Sequence, residues 1–293
     1  MIAMRKLLVD VERRFQQAGI DSARTDAELL LAHSLGVSRK QLLLADDLTD
    51  DQLHEYELLV RRRVLREPLH YITGLAPFRK LELKVGPGVL VPRPETELIV
   101  DIAKRFAKPG IAVDLGSGSG CIALSVATEI SNLQVIAVEK SAAAIGYLEQ
   151  NVNRVSGDLA HGSSIEVVPC EIAELVSVRP DLIGSVQMVV SNPPYVPTGS
   201  RVATEVQHFE PAEAVFAAQN GYEVIDQVIA AAAALLTEGG MVIIEHHESH
   251  GASGISGGVS GRLKQHGKFV EVSVVDDLTQ RPRFTYAIKS AAK

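Results

Sequence analysis

Chemistry in this chain concentrates at Asn192-Pro193-Pro194-Tyr195, which follows one residue after the apolar run Val186–Val190. Proline fixes φ and carries no N–H, and it confines the residue before it to extended conformations. Two in a row therefore hold the exit of a strand in a stiff, extended shape. That frame presents the Pro193 carbonyl as one acceptor and the Asn192 side-chain oxygen as a second. Two fixed acceptors can hold both hydrogens of a single –NH2 group, and Tyr195 offers a flat face on which a planar group can stack. The tetrapeptide thus suits a planar nitrogen bearing two hydrogens: a carboxamide, or the exocyclic amine of a base. Such a nitrogen is a weak nucleophile because its lone pair is delocalised, which for an amide underlies a rotation barrier of about 18–20 kcal/mol. It needs a strong electrophile and good alignment, and alignment alone can supply up to about 7–11 kcal/mol. Accepted hydrogen bonds also stabilise positive charge as it develops on the nitrogen. A strand-ending turn with a packed tyrosine would account for the prolines taken alone.

Upstream, Asp114-Leu115-Gly116-Ser117-Gly118-Ser119-Gly120 closes the run Ile111–Leu115 and opens a helical pattern. Glycines there let the backbone turn sharply and approach a ligand closely. The dinucleotide fingerprint requires glycine at its first, third and sixth positions. Here Cys121 holds the sixth and glycine the fifth, which disfavours a dehydrogenase. No Gly-Lys-Ser/Thr follows, so no phosphate-cradling lysine is present. Glu139 ends the next strand-like run, where a carboxylate can accept from both hydroxyls of a ribose; dinucleotide enzymes also place an acidic residue there. Asp114 with Gly-x-Gly-x-Gly resembles the first motif of S-adenosylmethionine-dependent methyltransferases, whose sulfonium is the strong electrophile required. A glycine-rich turn without a ligand is the plainer alternative.

The elements that must position these residues are legible from periodicity. Strand-like runs occur at Ile111–Leu115, Gln134–Val138, Ile165–Val168, Val186–Val190, Met241–Glu245, Phe269–Val275 and Phe284–Ile288, with helices expected at 119–130, 141–154 and 221–236. This alternation predicts a mostly parallel sheet covered on both faces, with ligands bound beyond the carboxyl ends of its strands. Residues 1–75 read as helical. Leu7, Leu8, Val11 and Phe15 recur at helical spacing, Thr25–Glu28 has the form of a capping box, Gly36 is a helix stop, and a third helix is expected over about 50–66. Its end carries Arg61, Arg62, Arg63 and Arg66, a solvated face or a contact with an acidic or RNA-bound partner. Between the two regions, Leu81, Leu83 and Val85 alternate with polar residues, Gly86-Pro87-Gly88 reads as a turn, and Val89–Val91 as the returning strand of a hairpin. A helix is expected from Pro94. Gly251–Gly261, rich in glycine and serine, is expected to be a loop. The expected organisation is a helical domain at 1–75, a hairpin linker at 76–92 and an α/β domain at 93–293.

The chain has 293 residues, 46% hydrophobic and 22% charged, with a formal net charge of −7. That is ample core material, and the negative balance disfavours stable nucleic-acid binding. The two cysteines, Cys121 and Cys170, show no metal-ligand spacing, which fits a reducing cytoplasm. No run resembles a signal peptide or a membrane span, so no membrane association is expected.

The stretches REPLHYITG (66–74), VLVPRPETE (89–97), DLGSGSG (114–120), SNPPYV (191–196), EPAEAVFAAQNGYEVI (210–225) and MVIIEHH (241–247) together resemble the HemK/PrmC family of protein-(glutamine-N5) methyltransferases. The similarity extends to DAELLLAHSLG (26–36) and so spans nearly the whole chain. The Asn-Pro-Pro-Tyr motif is shared with DNA adenine methyltransferases; VPRPETE and the helical N-terminal segment are more specific. The resemblance implies an α/β, Rossmann-like methyltransferase fold with a seven-stranded, mostly parallel sheet, a small N-terminal helical domain and a connecting β-hairpin, with substrate docking at 1–75 and methyl transfer at 93–293. It implies S-adenosylmethionine as cofactor, with its methionine portion and ribose along Gly116, Ser117, Gly118, Ser119 and Gly120. Glu139 would bind the ribose hydroxyls, and Glu171 and Ile172 would flank the adenine, by aliphatic packing where the family often has an aromatic residue. Asn192 and Pro193 would hold the amide of the glutamine in the Gly-Gly-Gln loop of class-1 peptide chain release factors, with Pro194 and Tyr195 shaping its slot. No role follows for Arg93, Glu95 and Thr96 beyond a salt bridge and a helix cap. Two other readings stay open: a nucleic-acid exocyclic-amine methyltransferase, and a binding protein without turnover.

Overall fold

The computed structural model describes residues 4–44, 48–251 and 257–291. The chain divides into two units, Met1–Leu75 with Val202–Phe209, and Ala76–Arg201 with Glu210–Lys293.

The first unit is helical. Helix Met4–Gln17 buries Leu7, Leu8, Val11 and Phe15, the four residues whose spacing marked its apolar face. They pack with Ala27, Leu30 and Leu31 of helix Ala23–Leu35 and with Tyr56 and Val60 of helix Asp50–Val64. Gly36 ends the second helix at φ 65°, a conformation in which glycine carries no Cβ penalty. The capping box lies elsewhere than expected. Thr25 sits inside the second helix, and the reciprocal Thr49–Gln52 pair caps the third. Asp26, the second residue of the expected box, is instead buried as the partner of Arg63 at 2.8 Å.

The second unit opens with a hairpin of β1 (Leu75–Phe78) and β2 (Leu81–Lys84). This hairpin precedes the one expected from the alternation. Its turn holds Arg79 at φ 54°. The Arg79 N–H donates to Glu97 Oε1 at 2.8 Å, and its guanidinium reaches Glu129 and Asp101, which pins the turn there. Val89–Val91 form no strand.

Beyond it, β3 (Gly110–Leu115), β4 (Leu133–Glu139), β5 (Ser164–Pro169), β6 (Val186–Ser191), a two-residue pair β7 (Val196–Pro197) and β8 (Phe216–Ala217), β9 (Leu236–Glu245), β10 (Phe269–Asp276) and β11 (Pro282–Lys289) follow in order. Seven of them form one sheet in the order β10-β11-β9-β6-β3-β4-β5. β5, β4, β3, β6 and β9 are parallel, while β11 and β10 close one edge antiparallel. This is the mostly parallel sheet that the alternation predicts, with the seven strands that the resemblance implies. The central strands are largely apolar because both faces are covered: β4 and β6 each bury Val-rich runs, and one core cluster lies on each side. Helices Cys121–Glu129, Ala142–Val155 and Glu223–Leu235 supply much of that cover. Of the expected 251–261 loop, residues 252–256 lie outside the described residues, and Gly258–His266 is a helix. Its buried Val259 and Leu263 explain why glycines alone did not prevent it.

Candidate active site

In the strand order, β3 lies between β4 and β6, so the chain leaves the sheet on opposite sides of this point. Ligand-binding crevices form at such a switch. Asp114 pairs with Val190 across β3 and β6, which brings the glycine loop and Asn192 to neighbouring strand ends. Two contacts fasten the exits. The Ser191 hydroxyl donates to the Leu115 carbonyl at 2.7 Å, and the N–H groups of Gly116 and Ser117 both donate to the Val138 carbonyl at 2.9 Å.

A cavity of about 370 Å³ opens there, within the usual range for small-molecule sites. Gly116, Ser117, Gly118, Ser119, Glu139, Glu171, Ile172, Asn192 and Pro194 all line it. The sequence thus named residues from four strand ends that do meet in one cavity. Gly116 and Gly118 have φ of 78° and 57°, and a Cβ on either would meet nothing closer than Val89 at 4.0 Å. Their missing side chains therefore leave free space over the loop. Glu139 is fixed by three backbone donors, Gly118 N to Oε2 and Lys140 N and Ser141 N to Oε1, each at 2.8 Å. Of its roughly four lone-pair sites, three are taken by these donors, and the remaining one lies on Oε2.

Three expected residues stand apart from the lining. Gly120 is not a wall of the cavity: a Cβ there would lie 2.5 Å from Leu148 Cδ1. Its glycine serves the packing of helix Cys121–Glu129 at φ 86°. Pro193 is buried, and Tyr195 packs against the core with its hydroxyl on Glu245 Oε1 at 3.1 Å. Neither lines the cavity.

Sequence reasoning passed over three groups that belong to the site. Gly88, Val89, Leu90 and Pro92 form part of the wall in place of the expected returning strand. Arg93 lines the cavity and pairs with buried Glu210 at 2.7 Å, while Pro211, Glu213 and Phe216 of the late segment complete that side. Thr96, 1% exposed, accepts a hydrogen bond from Asn192 Nδ2 at 3.0 Å. It makes no side-chain helix cap. The one readable signal for this network was Glu245, a carboxylate ending the otherwise apolar run Met241–Ile244.

Burial pushes the Glu245 carboxyl up to about 7, opposed by hydrogen bonds from the Thr96 and Tyr195 hydroxyls and by the charge of Arg283. Burial likewise pushes Asp114 up to about 7, although Ser117 and the Ala123 N–H act against it. A carboxyl whose folded value exceeds its unfolded one binds more protons in the native state, so stability falls as pH rises between the two values. For Glu245 that window runs from about 4.5 to about 7. Glu245→Gln is therefore expected to flatten the decline of Tm between pH 4.5 and 7, so that the variant gains on the wild type as pH rises. A constant offset across that range would disprove the assignment.

The sequence also aligns with known proteins. Residues 6–74 match the family model for the PrmC N-terminal domain, and residues 95–267 match the methyltransferase small domain. A release factor glutamine methyltransferase of Mycolicibacterium smegmatis is 40% identical over 94% of this chain and 93% of its own length. That of Streptomyces coelicolor is 39% identical over 98% and 99%, and that of Mycobacterium tuberculosis 35% identical over 93% and 87%.

Proposed function

The chain belongs to the family of release factor glutamine methyltransferases, and from that premise we propose that it methylates the side-chain amide nitrogen (N5) of the glutamine in the Gly-Gly-Gln motif of class-1 peptide chain release factors. The methyl donor is S-adenosylmethionine. The observation that carries this reading is the shared cavity: a glycine loop with open space above it and Asn192 face one another across about 370 Å³.

When bound, the cofactor supplies an electrophilic methyl carbon on a sulfonium. Gly116, Ser117, Gly118 and Ser119 would hold its methionine portion, Glu139 Oε2 would accept from a ribose hydroxyl, and Glu171 and Ile172 would flank the adenine. Gly120 acts behind the loop by letting helix Cys121–Glu129 pack close. Asn192 Oδ1 is left free by the Thr96 contact, which uses the other end of the amide. It would accept one hydrogen of the substrate –NH2, while Pro193, buried and outside the lining, stiffens the corner behind it. Pro194 walls the slot, and Tyr195 braces the corner from the core side through Glu245. Accepting that hydrogen raises electron density on the nitrogen and stabilises the positive charge that grows there. The acidified nitrogen then sheds its proton without a dedicated strong base.

The negative net charge of −7 disfavours nucleic acid as substrate or stable partner. No helix among the described residues is long and apolar enough to cross a membrane. Cys121 and Cys170 are both unbridged, which suits the cytoplasm. Incubating the protein with S-adenosylmethionine and a release factor should add the mass of one methyl to the Gly-Gly-Gln peptide. Label recovered only in tRNA, rRNA or DNA would overturn the reading.

A further inference from the structure

We propose that Thr96 is the positioning residue for Asn192: its hydroxyl oxygen accepts Nδ2–H and so fixes Oδ1 as the atom presented to the cavity. This rests on the reading above. An asparagine amide can be turned end for end at little cost in shape, and the two orientations are opposite in chemistry. One presents an acceptor, the other two donors. A site that must hold –NH2 works only in the first.

The structure supplies a reason for the first. The Thr96 hydroxyl stands beside the buried Glu245 carboxyl group, which takes the Tyr195 hydroxyl on Oε1 at 3.1 Å and has no hydrogen-bond partner on Oε2 among the described residues. A hydroxyl proton turned toward that open carboxyl oxygen leaves Thr96 Oγ1 facing Asn192 as an acceptor, and the group 3.0 Å away is the donor Nδ2. Thr96 is 1% exposed and Glu245 1% exposed, so water is not at hand to substitute for either contact. Thr96 stands at the start of helix Glu97–Phe106 yet caps nothing. Its hydroxyl is therefore not otherwise engaged by the helix terminus. Glu245 ends β9 and Asn192 follows β6, and these strands are paired neighbours. The line Glu245–Thr96–Asn192 thus runs from one strand end, through a helix start, to the next strand end.

Thr96→Val keeps the shape and removes the hydroxyl; Thr96→Ser keeps the hydroxyl. In 15N-labelled protein, the Asn192 side-chain amide should exchange with solvent slowly in the wild type and in Thr96→Ser, and at least about tenfold faster in Thr96→Val. With a Gly-Gly-Gln peptide at saturating cofactor, Thr96→Val should lower kcat about tenfold with cofactor Kd unchanged, and Thr96→Ser should restore it. Preference for this peptide over the Gly-Gly-Glu peptide as a competitor should also narrow in Thr96→Val, because a freed amide can offer N–H donors to a carboxylate. Thr96→Ala carries the same expectations if Thr96→Val does not fold. Unchanged amide exchange, or a serine variant that behaves like the valine one, overturns the proposal. A wild type that leaves the peptide unmethylated overturns the substrate reading instead, and amide exchange still decides the role of Thr96.

Discussion

Asn192→Ala is expected to lower kcat roughly tenfold to a hundredfold, the effect of leaving one buried polar hydrogen without its acceptor, while S-adenosylmethionine affinity stays nearly unchanged. The separation follows from geometry. Asn192 shares the cavity with the glycine loop, but the groups placed to hold the cofactor are Gly116–Ser119 and Glu139. The deletion also strands Thr96 Oγ1, which loses its donor in a site that is 1% exposed. Part of the loss is therefore local loosening of the corner, and it should appear as a small fall in Tm beside the larger fall in kcat. Turnover equal to wild type at saturating cofactor would remove Asn192 from the chemistry. A matching loss in cofactor Kd would instead place it in the cofactor site.

What could be read in advance divides along physical lines. The seven strands were legible because their burial is local and nearly continuous, as in β6, where Val186, Met188, Val189 and Val190 are all buried. The meeting of the glycine loop with Asn192 was legible because a parallel α/β sheet sends the ends of β3 and β6 to the same edge. The partner of Asn192 was not, since Thr96 lies 96 residues away and no period links them. Gly120 shows a different limit. Its glycine was assigned to ligand approach, whereas the nearest claim on that space comes from Leu148 on another helix. Tyr195 was assigned to stacking, but its hydroxyl runs to Glu245, and burial pushes its own pKa up accordingly. In each case the residue type was informative and the neighbour was invisible. The hairpin failed for a local reason: alternation over Leu81–Val85 is real, yet the turn is set by Arg79 and its carboxylate partners rather than by the glycines that follow.

The run Arg61–Arg66 illustrates why charge patterns need burial to be interpreted. Arg61 is 69% exposed on its side chain and lies 3.8 Å from Glu57, so Arg61→Ala is expected to change stability by no more than about 1 kcal/mol. Arg63 sits two residues on, with its side chain 7% exposed. Its Nε donates to Asp26 Oδ2 at 2.8 Å and its Nη1 to Glu205 Oε1 at 2.9 Å. Arg66 holds the other oxygen of Glu205 at 2.6 Å. Removing Arg63 would leave Glu205 a partner but strand Asp26, whose remaining side-chain donor is the Ser22 hydroxyl at 2.8 Å. Breaking one side of a buried pair costs about 3–5 kcal/mol, so Arg63→Ala should lower the urea midpoint of the helical signal far more than Arg61→Ala. Burial of an uncompensated charge, not loss of attraction, is the cause, and the double variant Asp26→Leu/Arg63→Met discriminates between the two. If desolvation dominates, the double variant recovers most of the loss, because no carboxylate is then left buried beside helix Asp50–Val64; if attraction dominates, it does not recover. An Arg63→Ala protein within about 1 kcal/mol of wild type, the range of an exposed pair, would mean that the Asp26 carboxylate finds water or another donor. Glu205, on the helix Thr204–Phe209 that follows the Asn192-Pro193-Pro194-Tyr195 corner in sequence and belongs to this unit, would then keep Arg66 as its ion-pair partner.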